Sequence, residues 1–201
     1  MNKYKKIEKL INSTTLMVFL ILSIYSFRYC KISNKYSINK VTIHGNNFID
    51  SSTIENLISE YIDNKNIFVI DIELMNEKII SNKYIESSKL YTIFPNKISI
   101  IINEINPLAL FKDNNQHLLI DEKYNKIMAN IDSINYYSVP IISIENYNDK
   151  DIYRTVNILK YISHKDKVLF NSIKEIIIKS EFSYIIINDK TEVKLNKNNI
   201  E

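Results

Sequence analysis

Residues 85–109, IESSKLYTIFPNKISIIINEINPLA, contain the most informative local pattern of the chain. Two predicted strands, Ile85–Ile93 and Lys97–Glu104, flank Phe94-Pro95-Asn96. Proline fixes φ and asparagine suits a tight turn, so the pattern predicts a β-hairpin with Pro95 as a structural turn residue. Asn106-Pro107 marks a boundary after the hairpin, with Pro107 as a second turn residue.

A strand and two helices are predicted ahead of this hairpin. Apolar and polar residues roughly alternate over 38–43, as in a half-buried strand, and the strand stops at Gly45, the only glycine of the chain. A turn with positive φ is the expected role of that glycine. Ser52 and Glu55 match a capping box before an amphipathic helix, and a shorter helix is expected to end near Asn82. The predicted order is β-α-α-β-β.

Residues 10–27 carry no formal charge, and lysines precede them. A bilayer core of about 30 Å needs about 20 helical residues, so a transmembrane helix over 10–29 is predicted, with Lys9 and Arg28 reaching the headgroups. A cleaved signal peptide is the alternative, although Arg28 and Tyr29 do not suit a cleavage site. The lysines ahead of the span favour a cytoplasmic N-terminus. Cys30 is interpreted as an interfacial thiol.

Charge argues against nucleic acid as a partner. Residues 1–40 hold eight of the 26 Lys and Arg residues, and the rest of the chain has a net charge of −4. Binding to phosphates normally needs a basic surface. The basic end is therefore assigned to the membrane, and the lipid bilayer is the expected partner there.

Beyond the boundary, shorter elements predict a second, β-rich domain with one helix. Asp149 or Asp151 is expected to start the helix. A continuous antiparallel meander is the simplest arrangement of the strands. The predicted strands cover 108–112, 117–121, Ile141–Ile144, 173–179, 182–188 and 191–195, with turns at 114–116 and 188–190.

No pattern of catalytic or metal-ligating residues emerges from the sequence. His44, His117 and His164 are far apart and are interpreted as surface or turn residues. Asp121 and Glu122 are adjacent, so on a strand they point to opposite faces, and a solvated strand end is expected there. The motifs of phosphate-binding loops and common hydrolases are absent. We predict no enzyme activity, no cofactor, no metal and no small-molecule substrate.

The order and spacing of these motifs resemble the FtsQ/DivIB family of bacterial cell-division proteins. The resemblance rests on a basic tail and one span, then on residues 41–46 (VTIHGN), 66–71 (NIFVID), 94–96 (FPN) and 104–109 (EINPLA). It implies an α+β chain with an N-terminal transmembrane helix, a β-α-α-β-β polypeptide-transport-associated (POTRA) domain and a mainly antiparallel β domain with one helix. The implied boundaries are a cytoplasmic tail at 1–9, the span at 10–29, a stalk at 30–37, the POTRA-like domain at 38–106, the β domain at 107–195 and a tail at 196–201.

The resemblance also implies a function. The chain would be a non-catalytic scaffold of the division machinery in the bacterial inner membrane, with its C-terminal part outside the cytoplasm at the septum. Its partners would be coiled-coil proteins of the FtsB and FtsL type together with upstream septal proteins. Family members usually continue into another helix and a last edge strand that receives FtsB, so the β domain is expected to be truncated at its C-terminal end.

An exposed sheet edge binds an extended partner through its unpaired backbone groups. We expect the hairpin over 182–195 to supply that edge. The candidate partner-binding residues are Tyr184, Ile185, Ile187, Thr191, Val193 and Leu195.

Two other functions stay open at the level of sequence. One is a membrane-tethered POTRA-type accessory module for protein translocation or envelope assembly. The other is a secreted hydrolase whose site is built from scattered carboxylates.

Overall fold

The N-terminal helix, α1, is longer than the predicted span. In the computed structural model, which describes residues 2–113, 116–145, 148–179, 182–188 and 191–196, α1 covers Asn2–Ile32. It therefore includes most of the predicted tail and the first part of the predicted stalk. Its apolar side chains are exposed, Phe19 at 65% and Leu22 at 62%. Residues Tyr4–Ile32 are long and apolar enough to cross a membrane.

The chain divides into two compact units, Met1–Asn103 and Glu104–Glu201. After α1 and a short 3-10 helix at Asn34–Tyr36, the first unit has the predicted β-α-α-β-β order. Its elements are β1 (Lys40–His44), α2 (Ser51–Ile62), α3 (Ile72–Ile80), β2 (Ile85–Ile93) and β3 (Lys97–Glu104). The predicted hairpin is confirmed, with Phe94-Pro95-Asn96 as its turn.

The sheet of the first unit places β3 in the middle, between β1 and β2. β1 runs parallel to β3, and Val41 pairs with Ile98. The two helices explain this parallel pair, since parallel neighbours need a crossover connection. Alternate residues of β3 and one face of each helix form the core. The buried side chains of these elements include Ile54 and Ile58 of α2, Met75 and Ile79 of α3, and Ile98, Ile100 and Ile102 of β3.

Gly45 has the predicted positive φ, 84°. A Cβ atom on this residue would lie 2.1 Å from the carbonyl oxygen of Ile102. The predicted capping box after this turn is wrong, because α2 starts at Ser51 with Asp50 as its N-cap, which places Ser52 inside the helix. The Asn46 amide fixes this start by donating to the Ile49 carbonyl at 2.9 Å and to the Ser51 hydroxyl at 3.1 Å.

The second unit contains one seven-stranded sheet and three helices among its described residues. The strands are β4 (Pro107–Asp113), β5 (Gln116–Asp121), β6 (Lys126–Met128), β7 (Ile141–Ile144), β8 (Ile173–Ile178), β9 (Phe182–Ile187) and β10 (Thr191–Asn196). The helices are α4 (Ile131–Tyr137), α5 (Asp149–Lys165) and α6 (Lys167–Ser172).

Two expectations about this unit are corrected. The prediction of one helix, α5, missed α4 and α6, which are short and are held by their caps. The Asn130 side chain accepts from Ser133 N at 2.8 Å, and the Asp166 side chain accepts from Leu169 N at 2.9 Å. The predicted turn at 114–116 lies mostly outside the described residues, as do 189–190 of the last turn.

A continuous antiparallel meander is the other corrected expectation. The strand order is β10-β9-β8-β7-β4-β5-β6, and β7 runs parallel to both β4 and β8. The remaining pairs are antiparallel, so the sheet is mixed but mainly antiparallel. The chain has the length for both parallel crossovers, because β5, β6 and α4 lie between β4 and β7 in sequence, and α5 and α6 lie between β7 and β8.

Candidate functional site

The free edge of the large sheet at β10 is the candidate binding site. In the described part of the sheet, β10 pairs only with β9, and the opposite edge is the three-residue strand β6. β10 is six residues long, so it presents the longer row of backbone N–H and C=O groups on its outer side. An extended segment of a partner can pair with such a row.

A row of apolar residues crosses the sheet and ends at this edge. Direct strand partners point to the same face, so the pairings given by the register place these side chains together. From the centre outward, Ile142 is 0% exposed, Ile176 3%, Ile185 8% and Val193 37%. On the other side of Ile142, the row continues through Phe111 of β4 to Leu118 of β5. Val193 thus continues the core face of the sheet to a position where no strand covers it in the described chain.

The α5 helix makes this face the inner face. Its Ile152, Val156 and Leu159 side chains belong to the same hydrophobic core as Phe111 and Ile142. An apolar side chain that a partner placed beside Val193 would therefore extend an existing core. Such burial contributes about 25 cal/mol for each Å² of apolar surface removed from water.

The outer face of the same edge is charged. Lys194 pairs with Tyr184 of β9, and its ammonium lies 3.7 Å from the centre of the Phe182 ring. Glu192 is the other charged residue of the strand. Charged side chains, lysine above all, limit the indiscriminate pairing of exposed edges. The edge is thus apolar toward the core and polar on its other face.

The six candidate partner-binding residues fall on two different strands. Thr191, Val193 and Leu195 lie on the edge strand β10. Tyr184, Ile185 and Ile187 lie on β9, whose backbone is paired on both sides. The Ile185 side chain also belongs to the core. The backbone groups that are open to a partner are therefore those of β10.

Asp121 is buried rather than solvated, which corrects the expected strand end. It is 8% exposed, and Oδ1 accepts from Lys123 N at 2.8 Å and from Asn125 N at 2.9 Å. The carboxylate thus holds the turn after β5. Glu122 points elsewhere, with Oε1 3.8 Å from His164 Nε2. The two acids do not face one shared space.

The three histidines lie on three different elements. His44 ends β1, His117 is in β5, and His164 lies in the last turn of α5, where its Nδ1 is 2.7 Å from the Lys160 carbonyl oxygen. Across the described residues, no three side chains of His, Cys, Asp or Glu are grouped as a metal site requires.

Asn66 has a structural role that its sequence context does not reveal. Its buried side chain donates from Nδ2 to the carbonyl oxygens of Cys30 at 2.8 Å and Ser33 at 3.2 Å, while Oδ1 accepts from Phe68 N at 3.0 Å. It therefore joins the end of α1 to the loop before α3. The only signal in the sequence was the residue triplet 66–68 itself.

Comparison with known protein families identifies the first globular domain. Residues 36–104 match the POTRA domain of the FtsQ type. No curated protein sequence matches the chain. Residues 36–104 are thus an FtsQ-type POTRA domain, and with the apolar helix that precedes this domain the chain fits an FtsQ/DivIB-like protein.

Proposed function

We propose that the chain is a non-catalytic scaffold of the bacterial division machinery. The observation that carries this proposal is an FtsQ-type POTRA domain directly after one apolar helix of membrane-spanning length. This arrangement supports a division-related role and a single-pass protein of the inner membrane. Proteins with FtsQ-type POTRA domains are typically not enzymes. In the finer proposal, the chain links early and late septal components, and its N-terminus is cytoplasmic.

Depletion of the protein in its own cell tests the division role. A scaffold of the division machinery would leave the cells growing without septation, so we expect long undivided filaments. Re-expression of the full chain should restore division. Leakage of the envelope without filamentation would contradict the proposal and favour a role in translocation or envelope assembly.

The second part of the proposal places a partner on β10. A segment of an FtsB- or FtsL-type partner would add a strand to this edge and cover Val193. Three features support the choice: the open backbone, the length of β10 against β6, and the apolar row that ends at a 37% exposed side chain. Because the outer face of the edge is charged, the partner strand would match apolar side chains only on the face toward the core.

Val193→Glu tests this docking site, with Val168→Glu as the matched control. Val168 lies in α6 and is 82% exposed, so the same substitution there changes the charge without touching the edge. Burying an unpaired carboxylate costs more than about 1.4 kcal/mol, so Val193→Glu should reduce capture of the partner about tenfold or more. Val168→Glu should leave it unchanged.

The measurement is co-purification of FtsB- and FtsL-type proteins with the full-length chain from detergent-solubilised membranes. Thermal unfolding of both variants shows that the fold is retained. Equal capture by a folded Val193→Glu protein would refute docking at β10 while leaving the division role to the depletion experiment.

A further inference from the structure

A partly exposed cluster of aromatic rings lies at the end of the apolar helix. The Tyr36 and Phe68 rings meet edge to face at 5.2 Å between centroids, and Phe68 and Phe94 lie 5.3 Å apart. Phe94 is 60% exposed, and Val69 beside the cluster is 58% exposed. We call Tyr36, Phe68 and Phe94 the aromatic cluster. The three rings come from the 3-10 helix, the loop before α3 and the tip of the hairpin.

Several hydrogen bonds fix this cluster to the end of α1. Asn66 holds the carbonyls of Cys30 and Ser33, and Ile67 N donates to the Tyr36 carbonyl at 2.9 Å. A side-chain hydrogen bond with Cys30 raises the pKa of the Tyr36 phenol above its ordinary value. The position of the cluster is therefore set by that of the helix end.

Helix geometry gives the depth in the membrane at which Asn66 contacts Cys30 and Ser33. Arg28 ends the uncharged run of residues 10–27, and its charge would reach the headgroups at this end of the span. Cys30 and Ser33 then lie about 3 and 7.5 Å beyond it at about 1.5 Å per residue. The headgroup region is about 5–8 Å thick on each side of a core of about 30 Å. The loop that Asn66 anchors thus lies at headgroup depth.

The composition of this region suits that depth. Aromatic side chains concentrate at the membrane interface, where an apolar ring and a polar tip are both accommodated. Arg28, Lys31 and Lys35 supply cations for lipid phosphates, and the Lys31 ammonium lies 4.6 Å from the centre of the Phe27 ring. Solvent-exposed Phe94 and Val69 would lose contact with water on entering this layer.

We infer that the aromatic cluster binds the outer lipid surface around the span, so that the POTRA domain rests on the bilayer. The occupant is lipid, at the boundary between headgroups and acyl chains. The inference rests on the membrane location of α1 but not on docking at β10, and it concerns a different surface of the chain.

The chain contains no tryptophan, so one introduced indole reports on one position. Phe94→Trp, in the full-length chain, is reconstituted into nanodiscs of phosphatidylethanolamine and phosphatidylglycerol, with or without bromine on the acyl chains. Phe48→Trp is the control. Asn39, just before β1, donates its N–H to the Asn96 carbonyl at the hairpin tip at 3.1 Å, whereas Phe48 follows the other end of β1.

We expect the tryptophan emission of Phe94→Trp to be blue-shifted and to be quenched in the brominated discs. Bromine should not change the emission of Phe48→Trp. Val69→Trp provides a second reporter with the same expectation should Phe94→Trp fail to fold. Equal, unquenched emission from Phe94→Trp and Phe48→Trp would overturn the inference. A blue shift without quenching would also overturn it, because a protein surface would then cover the cluster.

Discussion

Gly45 forms the turn that follows β1. Its φ of 84° favours glycine, and any Cβ would meet the Ile102 carbonyl oxygen. The left-handed conformation alone costs about 1–2 kcal/mol for other residues, and the backbone contact adds to this. We expect Gly45→Ala to lower the free energy of unfolding by at least that amount in chemical denaturation of the detergent-solubilised protein. An unchanged unfolding midpoint would contradict the assigned turn.

Asp71 and Asp50 occupy the same N-cap position in two helices, α3 and α2. The Asp71 side chain accepts from Leu74 N at 3.0 Å, whereas Asp50 makes no side-chain capping bond. Loss of a working N-cap typically costs about 1 kcal/mol. Asp71→Ala should therefore destabilise the protein more than Asp50→Ala in thermal unfolding. Equal losses would show that the caps do not differ in this way.

At the scale of elements, α5 organises the second unit by covering the mixed sheet. Leu159 is 0% exposed in the core, while Tyr161 on the same helix is 66% exposed. Removing a buried leucine side chain costs about 2–5 kcal/mol, and surface changes stay within about 0.5 kcal/mol. We expect Leu159→Ala to lower the unfolding midpoint clearly and Tyr161→Ala to leave it nearly unchanged, as measured by circular dichroism. The opposite ranking would contradict the packing of α5 on the sheet.

At the scale of the whole molecule, the proposed orientation separates Tyr4 from Val168 by a membrane. Both residues are 82% exposed, which makes them matched labelling sites once Cys30 is changed to serine. We expect Val168→Cys to react with a membrane-impermeant maleimide in spheroplasts and Tyr4→Cys to react only after the membrane is permeabilised. The reverse labelling would contradict the orientation. A labelled protein that is soluble and lacks its first thirty or so residues would contradict the anchor itself.

Local patterns predicted the first unit well. The hairpin at 85–104, the helix after Gly45 and the β-α-α-β-β order all follow from residues close together in sequence. The second unit was predicted less well, because α4 and α6 lack a long apolar repeat and depend on caps at Asn130 and Asp166. The burial of Asp121 was also missed, since its partners are backbone groups of a turn that composition does not reveal.

The sequence by itself determined the features that depend on local composition: an uncharged run of membrane-spanning length, the β-α-α-β-β order and the turn at the single glycine. Only the tertiary structure decided which strands are neighbours. β7 lies between β4 and β8 because long-range burial of apolar side chains against α5 selects that pairing. The tertiary structure also decided that β10 lies at the edge of the described sheet and that Asn66 contacts the end of α1, because both depend on residues distant in sequence.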